Sequence, residues 1–332
     1  MILLATFSAL RNQIFHAAFV FIITLMLSGI LAYPVHSQKM VTVYIADFPD
    51  HDLRKKIEEN ATATFNEINN AFSGQRKPVF DTEKVREPFV LAVTEMWESA
   101  PFYVDETSLI LKLSMLSDGS YEMRDVPLTM HDPNGRDHYE EGAVLFCAEG
   151  KLIDIRIALP LHRYNTLLRE GDDRIDVERR KSMLGFIEKF RTAYNRRDLP
   201  FITNVFSDQA LIIVGHVVQS TGKSSPFESQ VRYLQFTKEE YLQRLGNVFR
   251  RNEWIDITFD DIQIVRHPRL LHIYGVSLVQ YYSSSTYNDD GYLFLLVDFR
   301  AEDNPLIHVR TWQPRYSTPE SEIFSIGELE IF

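Results

Sequence analysis

The 332-residue chain has a single cysteine, Cys147, and that scarcity excludes an intramolecular disulfide. It also excludes a cysteine-based zinc site, which needs several thiolates at fixed spacing. Cys147 ends the apolar run of residues 143–147 and reads as a small buried hydrophobe rather than a nucleophile. Basic character is scarce as well: Lys+Arg 35 against Asp+Glu 46, a formal net charge of -11. No strongly basic stretch offsets this balance, so a phosphate backbone is repelled and a nucleic-acid partner is not expected. The HExxH, GxSxG and GxGxxG signatures are missing. Residues 220–224 imitate the end of a phosphate-binding loop, but the glycine required five positions before Gly222 is replaced by Val217. His131, Asp137 and His138 flank a turn at 132–135 that accounts for most of them. No metal and no cofactor are expected.

What is present begins with an uncharged, mostly apolar run at residues 15–33, preceded by Arg11 and followed by Val35-His36-Ser37. This is the pattern of a signal peptide (residues 1–37) cleaved after Ser37. The chain from residue 38 then carries 34 Lys+Arg and 46 Asp+Glu, a net charge of -12, and no stable membrane span. The rival reading is an uncleaved N-terminal anchor. An exported chain without disulfides fits the bacterial periplasm or secretion.

The remaining length suits two domains, and the 45% hydrophobic content is that of a folded chain. Residues 40–45 read as a strand. Leu53, Ile57, Ala61, Phe65, Ile68 and Phe72 have helical spacing, with Asp52 as N-cap and Gly74 as stop. A second helix is expected over 84–97, then strands near 102–113, 121–130, 139–147 and 152–159. Residues 163–176 form a polar bridge. Beyond it the pattern predicts helices at 177–195 and 199–206 and a strand at 210–214. A Ser-, Gly- and Gln-rich loop follows at 217–236. Thr237 and Glu240 form a capping box for a helix at 238–250. Four strands at 254–266, 271–282, 292–299 and 306–312 close the order, and 315–332 is a tail.

Helices followed by an antiparallel meander thus occur twice. Phe65, Ile68, Ala71 and Phe72 match Ile187, Phe190, Ala193 and Tyr194 in spacing. Met123, Val126 and Leu128 match Ile273, Val276 and Leu278. The last strand of each half runs from Leu152 to Pro160 and from Leu306 to Pro314 with a shared pattern. The expected fold class is α+β: two tandem cone-like domains, each with helices packed on a curved antiparallel sheet. They occupy residues 38–165 and 176–315, with a tail at 316–332. In residues 292–299, Leu293, Leu295, Val297 and Phe299 make the face that meets the helices.

The second half resembles the nuclear transport factor 2-like superfamily. The resemblance is carried by Phe190-Arg191-Thr192-Ala193-Tyr194-Asn195, Asp198, Phe206-Ser207-Asp208 and Ala210-Leu211-Ile212-Ile213. The ending Gly291-Tyr292-Leu293-Phe294 with Ile307-His308-Val309-Arg310-Thr311-Trp312 looks like exported members from Bacteroidetes-type bacteria. The resemblance covers residues 177–314, and through the repeat reaches 40–160. The first half departs from the pattern, lacking the short helix and strand between its two helices. The superfamily includes ketosteroid isomerases, dehydratases, polyketide cyclases and pure binding modules, so fold alone does not fix function.

Such enzymes place an Asp or His base in the cone beside Tyr or Asp donors. No full set matches residue by residue. Asp208, His216 and His308 are the catalytic candidates, and Tyr194, Tyr282 and Trp312 the ligand-binding ones. The competing reading makes Asp208 a turn residue and turns the strand face of His308, Arg310 and Trp312 outward. Tyr281, Tyr282, Tyr287 and Tyr292 surround a serine-rich turn that suits a binding edge. The leading expectation is an exported binding or scaffold protein for a small apolar ligand or an envelope protein. The alternatives are an isomerase, dehydratase or cyclase in the second half, and a purely architectural pseudo-dimer. The chain is expected to be a monomer with an internal pseudo-dimer, or a homodimer.

Overall fold

An edge strand leaves alternate backbone N–H groups without a ladder partner, and the first half of this protein satisfies them from a helix. A computed structural model describes residues 40–131, 135–219, 229–302 and 304–328. The export segment, the loop at 220–228 and residues 329–332 lie outside the described residues. Strand β1 (Thr42–Ala46) pairs in parallel with β3 (Ser108–Met115). Its other edge lies along helix α1 (His51–Ser73). Glu58, Thr62 and Asn66, four residues apart, accept from the amides of Ile45, Val43 and Val41 at 2.8, 3.0 and 2.8 Å. Helix α1 is capped by Asp50, not Asp52, because the Asp50 carboxylate is the one that reaches the Leu53 amide, at 3.0 Å.

Helix α2 (Glu87–Ser99), β2 (Phe102–Tyr103), β4 (Tyr121–His131), β5 (Asp137–Phe146) and β6 (Leu152–Ile157) complete the half. The sheet order is β1-β3-β4-β5-β6, with β2 on β4. Phe65, Phe89, Phe102 and Phe146 are fully buried between the helices and the sheet. Cys147 is half-buried in the turn after β5, not enclosed in the core, because the apolar run ends there.

The polar bridge contains a helix, α3 (Leu161–Glu170). Leu161, Tyr164, Leu167 and Leu168 give it an apolar side that the charged residues around them obscure, and Tyr164 is buried. The second half follows: α4 (Val177–Asn195), α5 (Leu199–Val205), β7 (Phe206–Gln219), β8 (Ser229–Phe236), α6 (Lys238–Arg251), β9 (Ile255–Arg266), β10 (Ile273–Ser284), β11 (Asn288–Asp298) and β12 (Leu306–Pro314). The order is β8-β7-β12-β11-β10-β9, antiparallel except for β7 beside β12. Part of the expected 217–236 loop is therefore strand: Val231, Tyr233 and Phe236 continue the β7 ladder after the Ser- and Gly-rich stretch. Thr237 and Glu240 form the capping box of α6 as expected.

The protein is α+β, two tandem halves each with helices packed on a largely antiparallel sheet. Leu293, Leu295, Val297 and Phe299 face the helices. The residue matches of the repeat hold in part. Val126 and Leu128, like Val276 and Leu278, enter the two cores. Asp125, at φ 64°, sits in a β-bulge that brings Met123 to the same face as Val126. No shift in the ladder occurs between Ile273 and Val276, so Ile273 lands on the opposite face from Val276. That outer face is covered by the tail. Phe324 packs on Phe294 with ring centroids 5.3 Å apart, and its amide donates to Gln313 Oε1 at 2.7 Å.

Helix α4 is buried on both sides. Met183, Leu184, Ile187, Phe190 and Tyr194 enter the second core. Glu188, Arg191, Thr192 and Asn195 recur at helical spacing on a polar stripe, and all four are buried. Glu188 meets the first sheet, accepting from Arg124 Nη2 at 2.5 Å, Arg156 Nε at 3.1 Å and the Leu159 amide at 2.7 Å. Glu122 completes the cluster through both arginines. Arg191 donates to Glu140 of β5 at 2.5 Å. Burial alone raises the Glu188 pKa, but Arg156 and Arg124 overcome it and the net shift is downward.

Removing one member of a buried ion cluster strands the others. Glu188→Ala is expected to lose about 3–5 kcal/mol in urea denaturation. Lys181→Ala, which breaks a surface pair with Glu178 at 2.9 Å, is expected to lose no more than about 1 kcal/mol. The depressed Glu188 pKa adds a sign: this contribution is present above the ordinary carboxylate range and lost as pH falls through the folded-state value.

Candidate functional site

In the second half, β7 and β8 extend the sheet past β12, and α6 crosses the open side. Strand β7 and helix α6, together with the β10–β11 turn, bound a cavity of about 810 Å³. Helix α6 supplies an apolar wall through Tyr241, Leu245 and Val248, at the spacing of one helical face. Strand β12 supplies Arg310, Trp312 and Pro314, and β10 supplies Gln280, Tyr282 and Ser284. The turn is held at the mouth by Asn252, whose Oδ1 accepts from Thr286 Oγ1 at 2.7 Å and from Ser285 Oγ at 3.1 Å.

A bulge decides which β12 side chains reach this space. Leu296 pairs with Val309 and Val297 with Ile307, so His308 is the extra residue. Ile307 therefore joins the helix-facing core, and Val309 the outer cluster. Arg310 and Trp312 line the cavity, while His308 approaches Asp298 on the outer face, with Nε2 3.4 Å from Oδ2. The three do not share a face. Trp312 lies across Gly291: a Cβ there would stand 2.6 Å from the indole, so only glycine leaves room.

Deep in the cavity the Tyr194 and Tyr241 hydroxyls are 2.5 Å apart. Burial first, then the Tyr241 phenol beside it, pushes Tyr194 ionisation well above the usual phenol range. The Tyr194 phenol is neutral at physiological pH. The Arg310 guanidinium lies 5.2 Å from the centroid of the Tyr241 ring and is 6% exposed. Its Nε and the Trp312 Nε1 are buried donors without an acceptor among the described residues. Nearer the mouth the Tyr287 phenol donates to Asp289. Burial raises the Asp289 pKa, only partly opposed by that hydrogen bond. Tyr287 is itself pushed up to about 12, burial again coming first.

Of the candidates named from the sequence, Tyr194, Tyr282, Trp312 and His216 line this cavity, His216 at its exposed rim. Asp208 does not: its side chain is 93% exposed and paired with Lys238 at 2.8 Å. The tyrosine cluster divides by strand parity. Tyr282 and Tyr287 line the cavity with rings 6.3 Å apart, while the Tyr281 hydroxyl accepts from Arg315 at 2.9 Å. The sequence reading missed Tyr241, Arg310 and Asp289 as site residues. The Tyr241, Leu245 and Val248 spacing was a readable signal. An arginine between apolar strand positions was another. Asp289 had none, since Asn-Asp-Asp-Gly reads as a turn.

No family model matches the chain, and a search of curated proteins finds no match. Solved structures resemble parts of it. Bd1075 of Bdellovibrio bacteriovorus aligns at 18% identity and a TM-score of 0.32, over 42% of this chain and 41% of its own. An NTF2-like protein from Cytophaga hutchinsonii aligns at 14% and 0.31, over 41% of this chain and 97% of its own. A putative dehydratase of the NTF2-like family from Streptomyces avermitilis aligns at 13% and 0.28, over 38% of this chain and 87% of its own. This chain therefore spans less than half the length of Bd1075. At these scores the similarity carries no weight for function, and the residues of the cavity carry it alone.

Proposed function

We propose that the protein is an exported binding protein whose second half takes a small, largely apolar ligand into the α6–β12 cavity. The observation that carries this reading is the cavity itself. Its volume of about 810 Å³ falls in the range of small-molecule sites, and its walls combine aromatic and aliphatic side chains with polar groups, Arg310 and Asp289 among them. A purely architectural role is served better by a filled interior. Periplasmic or secreted localisation rests on the N-terminal apolar run and belongs to the same proposal, as does monomeric or homodimeric assembly.

N-phenyl-1-naphthylamine, a neutral fluorophore that brightens in apolar surroundings, is the direct probe. The purified protein is expected to bind it saturably at one site. Val248→Trp fills the mouth from a position already 37% exposed, and is expected to weaken binding about tenfold or more with little change in thermal midpoint. Unsaturable fluorescence in the native protein removes the reading.

A second reading, proton transfer on a bound substrate, is favoured by Asp289. A carboxyl whose pKa is raised by burial, beside a phenol, suits a general base. On that reading Asp289→Asn lowers turnover of a bound substrate by about 10²–10⁴-fold, and unaltered turnover removes it. The same shift fixes a stability sign. The folded protein binds this proton more tightly than the unfolded chain, so stability falls as pH rises from the unfolded to the folded value. Asp289→Asn is therefore expected to raise the midpoint at pH 7 and to leave it nearly unchanged at pH 4.

A further inference from the structure

Among the described residues five arginines are buried: Arg124, Arg156, Arg180, Arg191 and Arg310. Four of them have strong acceptors. Arg124 reaches Glu188 at 2.5 Å, Arg156 reaches it at 3.1 Å and Arg191 reaches Glu140 at 2.5 Å. Arg180 donates to the carbonyls of Leu168 and Asp172 at 2.6 and 2.8 Å. Arg310 differs. No carboxylate oxygen among the described residues lies within 4.0 Å of its guanidinium. Its neighbours are the phenols of Tyr194 and Tyr241, the Tyr194 hydroxyl in hydrogen-bond contact, with Asp289 acting from farther away. Two residues along the same strand face, Trp312 adds a second buried donor without an acceptor.

A desolvated cation with no carboxylate in ion-pair contact is costly, and so is each buried donor left unpaired. Both costs are removed by one acceptor of opposite charge placed in the cavity. Resting on the cavity reading above, we propose that the ligand carries a single carboxylate, held by Arg310 with the Tyr194 and Tyr241 hydroxyls, and an apolar body along α6. A planar carboxylate matches the fork of one guanidinium. A phosphate ester matches it less well. It brings a second negative charge, for which the cavity offers only the less buried Arg251 and Arg315, the latter already 3.8 Å from Asp290.

The test uses bound N-phenyl-1-naphthylamine as reporter in the purified protein, displaced by 1-naphthoate, 1-naphthamide or 1-naphthyl phosphate. The first two are nearly isosteric and differ in charge. Naphthoate is expected to displace the reporter at about tenfold to a hundredfold lower concentration than naphthamide, with naphthyl phosphate between or weaker. Arg310→Gln is expected to erase that preference while the reporter still binds. Equal displacement by naphthoate and naphthamide in the native protein overturns the carboxylate and leaves the cavity reading standing, and this comparison needs no folded variant. A preference that survives Arg310→Gln overturns the assignment to Arg310. Stronger displacement by naphthyl phosphate overturns the monoanion. No saturable reporter binding at all overturns both readings together.

Discussion

The arrangement of this protein depends on the burial of Glu188. A carboxylate taken fully out of water is tolerated only when cations and hydrogen-bond donors surround it. Here they come from the other half: Arg124 on β4, Arg156 on β6 and the Leu159 amide at the exit of β6. With Glu122 the cluster holds two acids and two bases, so its formal charge is zero. Tyr164 of the connecting helix stacks on Arg124 with the guanidinium 3.6 Å from the ring centroid, closing the cluster from the third side. Helix α4 is thereby fixed between the two sheets. Its apolar side becomes the floor of the second core, and Tyr194 at the end of that side reaches the cavity.

The two halves part company at the edge beyond their last strand. In the second half β12 is followed in space by β7 and β8, and α6 spans the gap they open. In the first half the corresponding edge of β6 carries, among the described residues, an isolated bridge between Val85 and Leu152. Among the described residues no such arm follows it, and Phe65, Phe89, Phe102 and Phe146 are buried in the core. Repetition of elements therefore did not mean repetition of a pocket. The added β7–β8–α6 segment makes the difference, and it is the part of the repeat that the first half lacks.

Periodicity made most of the architecture legible. Phe65, Ile68, Phe190 and Tyr194 announced the core faces of two helices, and the alternation in β11 identified its inner face. Three kinds of information were out of reach. The polar stripe of Glu188, Arg191, Thr192 and Asn195 reads as a solvated face, because its partners lie on strands up to 66 residues away in the chain. A bulge inverts side-chain parity without leaving a mark in composition, so His308 and Arg310 were read on one face when the ladder separates them. Asp208 and Asp289 each sit at a turn in sequence terms. Only tertiary placement makes one a solvent-exposed partner of Lys238 and the other a half-buried acid in the cavity wall.

The treatment of charge in the two interior regions is opposite, and that contrast points to function. In the seam between the halves the acids Glu122, Glu188 and Glu140 each meet an arginine, which is how a protein buries charge for structure. In the cavity Arg310 stands among phenols and an indole, although a methionine of similar length would fill the same volume without a desolvation cost. A group that weakens the folded state at a place where packing does not require it is characteristic of a site whose energy is recovered when something binds. The carboxylate nearest in effect, Asp289, is kept beyond ion-pair distance and engaged by Tyr287. That arrangement leaves the guanidinium hydrogen-bonded to the Tyr194 hydroxyl but without an ion-pair partner among the described residues, and directs its unmet electrostatic demand toward a ligand.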